Sequence, residues 1–166
     1  VMPVIMAVAV VMGDGFMRER LPRTAALFER ITAAVEPPTD AAKAAYTRTR
    51  PYVDDMSILR CDQPQNPSLT NSYPTGHGAS GWAWALTLAE LSPSRASAVL
   101  QRGREFGDSR VICGYHFPTD IDAARRVDRL VARAARARLG RVAALDHEAG
   151  DDAVEDRVVE EVRACE

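Results

Sequence analysis

The chain has 166 residues and a mass of 18.1 kDa, and is 46% hydrophobic and 27% charged with 10 Gly and 10 Pro. A chain of this size and mixture buries a core as one domain, here residues 1–166, and is not disordered, collagen-like or of low complexity. Lys and Arg number 21 against 23 Asp and Glu, a net charge of -2, so no basic surplus points to nucleic acid or an anionic membrane and any anion site must be local.

The first apolar run, Val1 to Met12, is shorter than the roughly 18 residues of a membrane helix and ends at Gly13-Asp14-Gly15. It reads as a buried helix rather than a signal-peptide remnant, since no basic stretch precedes it and no small-residue cleavage site follows. No membrane span is expected anywhere. Apolar residues at steps of three and four then predict helices nearly throughout, and the fold class is all-α. Leu21, Ala25, Phe28, Ile31 and Val35 form one stripe that should stop at Glu36-Pro37-Pro38. Thr39-Asp40 reads as a cap for a new helix running to about Arg50, because Pro51 turns its predecessor away from helical backbone.

From Pro51 to Pro74 the periodicity is lost, and so long a loop inside a compact domain is usually functional. The helical pattern resumes after Gly76-His77-Gly78 and breaks at Leu91, where Ser92 and Pro93 look like the cap and first residue of a helix that runs toward Gly107. A further helix is expected from Pro118-Thr119 to Gly140, followed by an acidic tail over 141–166. Cys61, Cys113 and Cys165 show no zinc-type spacing.

Three polar stretches lie where helices begin or end. In Lys43-x6-Arg50-Pro51 the two cations would project from one helix face about 10 Å apart; alone, such a pair reads as a solvated surface. Tyr73-Pro74-Thr75-Gly76-His77-Gly78 sets glycines and a hydroxyl at a helix start, where free amides and the helix dipole favour an anion. In Ser109-Arg110-x5-His116-x3-Asp120 the carboxylate can orient one imidazole nitrogen and leave the other free as a nucleophile. Jointly these supply Lys43, Arg50 and Arg110 for negative charge, Thr75, Gly76 and His77 for hydrogen bonds, and His116 with Asp120 for attack. The target is a compact, multiply charged oxyanion.

The three-part pattern resembles the type 2 phosphatidic acid phosphatase superfamily, with signature K-x6-R-P, P-S-G-H and S-R-x5-H-x3-D. Thr75 in place of the usual Ser is the one departure, and it keeps a hydroxyl. Within the superfamily, Gly81-Trp82-Ala83, Asp108 to His116 and Asp120 to Arg125 look like the secreted bacterial class A non-specific acid phosphatases. The likeness covers about residues 40–140 and omits the acidic tail, and enzymes of that class carry more helical sequence before the first motif. The resemblance implies a helical bundle with its active site at helix ends and a long loop. It also implies a cofactor-free, metal-independent phosphomonoesterase of broad range acting through a phosphohistidine. His116 would be the nucleophile, His77 the general acid, Asp120 the holder of the His116 tautomer, and Lys43, Arg50, Thr75, Gly76 and Arg110 the phosphate ligands. Inorganic phosphate and vanadate would inhibit, and the location would be periplasmic or secreted. In that compartment Cys61 and Cys113, each near an active-site stretch, would form a bridge, the alternative being two buried thiols. The alternative readings are a vanadium-dependent haloperoxidase, whose family is generally larger, a lipid phosphatase, and a non-catalytic phosphate-binding helical protein. Homo-oligomerisation is left open.

Overall fold

A computed structural model describes residues 9–13, 16, 19–62 and 67–126. Among the described residues the regular structure is helical: α1 is Pro22–Tyr46, α2 the single turn Pro51–Asp54, α3 Gly76–Leu91 and α4 Ala96–Ile112, the last entered through a 3-10 turn at Pro93–Arg95. Residues 9–12 are also helical, and 118–126 form α5. The expected continuation to Gly140, the acidic tail 141–166, the start of the first apolar run and the polar centre of the long loop at 63–66 lie outside the described residues.

α3 is the central element, and its two tryptophans face different neighbours. Trp84 is fully buried and stacks on Phe28 of α1, with ring centroids 4.4 Å apart. Such a stack adds roughly 0.5–1.5 kcal/mol beyond the area it buries. Met12, Phe16, Leu21, Leu88, Val99 and Phe106 belong to this cluster, so of the described part of the first apolar run Met12 is buried as expected and Ala9 and Val11 are partly buried, while Val10 is exposed. A second cluster joins Val35 of α1 to Ala79 and Ala83 of α3 and Ala124 of α5. α3 and α4 approach closely because their contact is made at glycines. A Cβ on Gly81 would stand 2.5 Å from the Phe106 ring, and one on Gly103 would stand 2.4 Å from Ala85 Cβ.

Three sequence expectations need correction. First, α1 does not stop at Glu36-Pro37-Pro38; it is one helix of 25 residues with both prolines inside. Each interior proline removes an amide and costs about 3 kcal/mol. The carbonyls left without partners are those of Ala33 and Ala34, on the solvent side, where water can satisfy them. On the opposite side Val35 and Thr39, each 1% exposed, pack inward, and Thr39 Oγ1 donates to the Val35 carbonyl at 2.8 Å. Burial on both sides of the proline pair outweighs local propensity.

Second, the helix ends at Tyr46 rather than near Arg50. Thr47 is left-handed, with φ 40° and ψ 36°, and its amide donates to the Lys43 carbonyl. Lys43 and Arg50 therefore do not share a helical face; Arg50 lies in extended backbone before α2. Third, α4 runs past Gly107 to Ile112.

Candidate active site

The site forms where the C-terminal part of α1, the start of α3 and the turn after α4 meet. Lys43, Arg50, Gly76, His77 and His116 line one cavity of about 350 Å3. Lys43 reaches it from α1, and its Nζ lies 3.4 Å from where a Cβ on Gly76 would be, so glycine at 76 leaves the ammonium room beside the helix start. The left-handed Thr47 turns the chain so that Arg50 enters the same cavity from the other side.

Thr75 is the N-cap of α3, with Oγ1 accepting from the Gly78 amide at 3.2 Å. It is fully buried beneath the cavity wall. Capping of this kind satisfies one amide of the first turn and leaves others free. Among the described residues, the amides of Gly76 and His77 donate to no protein group, so they and the helix dipole are available to an anion.

His116 is 5% exposed, and its two ring nitrogens have different partners. Nε2 is 3.1 Å from an Arg50 terminal nitrogen. A guanidinium can only donate, so Nε2 holds the lone pair and Nδ1 carries the proton. That proton goes to the Ser72 carbonyl at 2.7 Å. Asp120 Oδ2 is 3.5 Å from the same Nδ1. Asp120 thus shares the orienting role with a backbone carbonyl instead of filling it alone.

Asp120 organises the surroundings as well. It is fully buried and accepts from Ser72 Oγ at 2.6 Å, the Phe117 amide at 2.8 Å and Arg48 at 2.8 Å. Its own amide donates back to the Phe117 carbonyl at 3.0 Å, a reciprocal cap on α5 that fixes the step from His116 into the helix. Burial pushes the Asp120 carboxyl up, but the bonds from His116, Ser72 and the Phe117 amide, with the Arg48 charge, hold it below the usual carboxylate range.

Burial is also the main cause that lowers His116, assisted by Arg50 and opposed by Asp120 and Ser72. His77 sits at the open edge of the cavity with no hydrogen-bond partner among the described residues. Desolvation and then the charge of Arg110 lower it, with His116 and Lys43 adding to the effect. Both imidazoles are therefore biased toward the neutral form when the site is empty. Arg110 is near enough to act on His77 but is not on the cavity wall; its carbonyl accepts the amides of Tyr115 and His116 and closes the turn between them.

Two contributors were missed in the sequence. Arg48 bonds Thr119 Oγ1 at 2.7 Å as well as Asp120, and its guanidinium lies 4.0 Å above the Phe117 ring. Ser72 joins Arg48, Asp120 and His116, since its amide also donates to the Arg48 carbonyl at 3.0 Å. Arg48 stood in the variable part of the first motif, and a backbone carbonyl leaves no trace in side-chain identity.

Cys61 and Cys113 are disulfide-bonded, tying the long loop to the segment that carries His116. Gly114 follows at φ +70°, and a Cβ there would stand 2.6 Å from Ile58 Cγ2 in that loop. Among the described residues no three His, Cys, Asp or Glu side chains converge as a metal-ligand set, and no helix is long and apolar enough to cross a membrane.

Cations, free helix-start amides and two imidazoles thus surround one cavity in an all-α frame, an arrangement whose chemistry suits an oxyanion. The chain belongs to the PAP2 superfamily, whose family model matches residues 24–134. It is similar to a non-specific acid phosphatase of Providencia stuartii, 46% identical over 91 residues, which are 54% of this chain and 36% of that one. It is also similar to a non-specific acid phosphatase of Salmonella typhimurium, at 47% over 90 residues, 54% of this chain and 36% of the relative. An acid phosphatase of Zymomonas mobilis is 40% identical over 105 residues, 63% of this chain and 40% of that one. The chain thus spans little more than a third of the length of the curated relatives it matches.

Proposed function

We propose that the protein is an acid phosphatase acting on phosphate monoesters through a phosphohistidine at His116, with no metal in the reaction. The observation that carries this reading is the tautomer of His116: Nε2 keeps its lone pair in a cavity shared with Lys43, Arg50 and His77, while Nδ1–H is held by Ser72. A phosphate held by Lys43, Arg50 and the amides of Gly76 and His77 would present phosphorus to that lone pair.

In the first step the Nε2–P bond forms and the ester P–O bond breaks, with His77 giving its proton to the departing oxygen. In the second, water attacks phosphorus, His77 takes the water proton, the P–N bond breaks and phosphate leaves. Lys43 and Arg50 stabilise charge on the transferring group, a role in which each preorganised donor contributes about 2.7–4 kcal/mol, and Arg110, off the cavity wall, adds its positive charge from behind His77. Thr75 supports the step by holding the start of α3, and its hydroxyl is the remaining candidate phosphate donor. A periplasmic or secreted location is supported by the Cys61–Cys113 bond, since disulfides persist in oxidising compartments.

The test is hydrolysis of p-nitrophenyl phosphate at mildly acidic pH with EDTA present, for the native protein and His116→Ala. Native turnover, a labile phosphoprotein and competitive inhibition by orthovanadate are expected, with all turnover and labelling lost in a folded variant. Retained activity in His116→Ala would overturn the mechanism. Vanadate-dependent halide oxidation without hydrolysis would assign the haloperoxidase reaction instead.

A further inference from the structure

The cavity continues well beyond the phosphate end. Thr32 and Glu36 lie on the same face of α1 as Lys43, and Ser80 and Trp84 lie on the same face of α3 as Gly76. Lys43 stands beside Gly76, whereas Thr32 accepts from Trp84 Nε1 at 3.2 Å. The two helices are therefore antiparallel along the cavity. The step from Gly76 to Trp84 corresponds to a groove about 12 Å long, from the rise per residue alone.

The two ends of this groove differ in charge. At the phosphate end are Lys43, Arg50 and two imidazoles. Two helical turns back along α1, about 10 Å from Lys43, is the Glu36 carboxylate, open to solvent and with no ion-pair or hydrogen-bond partner among the described residues. Asp40 lies between them but is 3.3 Å from Lys43, so its charge is partly matched. The far end has hydroxyls from Thr32 and Ser80, and the buried edge of Trp84 as a floor. An unmatched carboxylate facing a bound group attracts a cation and repels an anion, and a groove with low-dielectric walls strengthens both effects.

We infer that Glu36 makes this end of the groove a leaving-group subsite selecting phosphate monoesters whose alcohol carries an amine cation, against those whose alcohol carries a second anion. The inference rests on the phosphomonoesterase reading for its orientation: phosphate at Lys43 and Arg50, alcohol along α1. A chain of three carbons brings a terminal group out of the phosphate end and toward Glu36.

The experiment compares the full chain and Glu36→Gln on 3-aminopropyl phosphate, propyl phosphate and 3-phosphonooxypropanoate, with folding of the variant checked by thermal melting. The native kcat/KM should order amine over neutral over carboxylate, with an amine-to-carboxylate ratio on the order of tenfold that falls as salt is raised. In Glu36→Gln that ratio should drop toward the value set by the phosphate end alone. A native ratio near one, or a ratio unchanged in Glu36→Gln, overturns the subsite.

Binding of 3-aminopropylphosphonate and 3-phosphonopropanoate, followed by calorimetry, separates the two proposals because it needs no turnover. A Glu36-dependent preference for the amine with no hydrolysis of any ester keeps the subsite and rejects the phosphatase reading. Hydrolysis of all three esters with no such preference does the reverse. Failure of both phosphonates to bind overturns the subsite.

Discussion

Arg48→Ala should cost the protein far more than loss of a surface arginine. Its partner Asp120 is fully buried, and truncation removes a 2.8 Å ion pair, a 2.7 Å bond to Thr119 and a guanidinium stacked 4.0 Å over Phe117. Breaking a buried pair from one side costs about 3–5 kcal/mol because the remaining charge is stranded. The Arg48 side chain is 35% exposed, so water enters part of the gap, and the low end, about 3 kcal/mol, is the appropriate value. Arg48→Lys, which keeps the charge but not the planar guanidinium over Phe117, should recover part of it.

The pH dependence follows from Asp120. Its folded pKa lies below the usual range, so its ionised form contributes stability that is complete above the unfolded pKa and is lost as pH falls through the folded one. Without Arg48 the folded pKa rises and the loss begins at higher pH. The stability gap between native protein and variant should therefore be widest near neutrality and narrow only as pH falls below the ordinary carboxylate range, where Asp120 takes up its proton in the native protein as well. Urea unfolding at several pH values measures it. A gap below about 1 kcal/mol at neutral pH, or one that does not change with pH, would refute this account of Asp120.

Gly78→Ala would place a Cβ 2.4 Å from Thr75 Cγ2 and should destabilise by about 1–3 kcal/mol; in a Thr75→Ser background, which keeps the cap and removes the methyl, most of that loss should vanish in a double-mutant cycle. Denatured, unreduced protein should show one free thiol, from Cys165, and Cys61→Ser with Cys113→Ser should lower stability by about 4 kcal/mol from loss of loop closure across 52 residues; three free thiols would contradict the bridge. In single-turnover phosphorylation His77→Ala should slow glycerol phosphate far more than p-nitrophenyl phosphate, because only a basic leaving oxygen needs its proton in the transition state. Equal losses would leave His77 as a phosphate ligand only.

What could be read from the sequence is what periodicity and spacing encode. The all-α class followed from apolar steps of three and four, and Pro118-Thr119 correctly marked a helix start between His116 and Asp120. The prolines at 37 and 38 misled because local propensity cannot show that Val35 and Thr39 are held from outside the helix. Lys43 and Arg50 do converge, but through a left-handed turn at Thr47, and threonine carries no signal for that backbone as glycine would. Arg48 and Ser72 were invisible for a different reason: one acts through a residue 72 positions away and the other through its carbonyl as well as its hydroxyl.

The two histidines also need opposite protonation states from surroundings of one sign. In the proposed reaction His116 must be neutral to attack and His77 protonated to act as acid, yet burial and neighbouring cations lower both. For His116 this is an advantage in acid, because its lone pair survives to lower pH. For His77 it is an obstacle that substrate itself removes. A phosphate dianion beside Lys43 and Arg50 offsets their charge and adds negative charge next to His77, raising its pKa only while the site is occupied. His116 is shielded from that reversal in part, since its Nδ1 proton is already committed to Ser72 and its Nε2 lone pair is consumed by the bond to phosphorus. In the proposed reaction the different hydrogen bonding of the two rings, one held on both sides and one without a partner among the described residues, would let a single cationic cavity serve a nucleophile and an acid together.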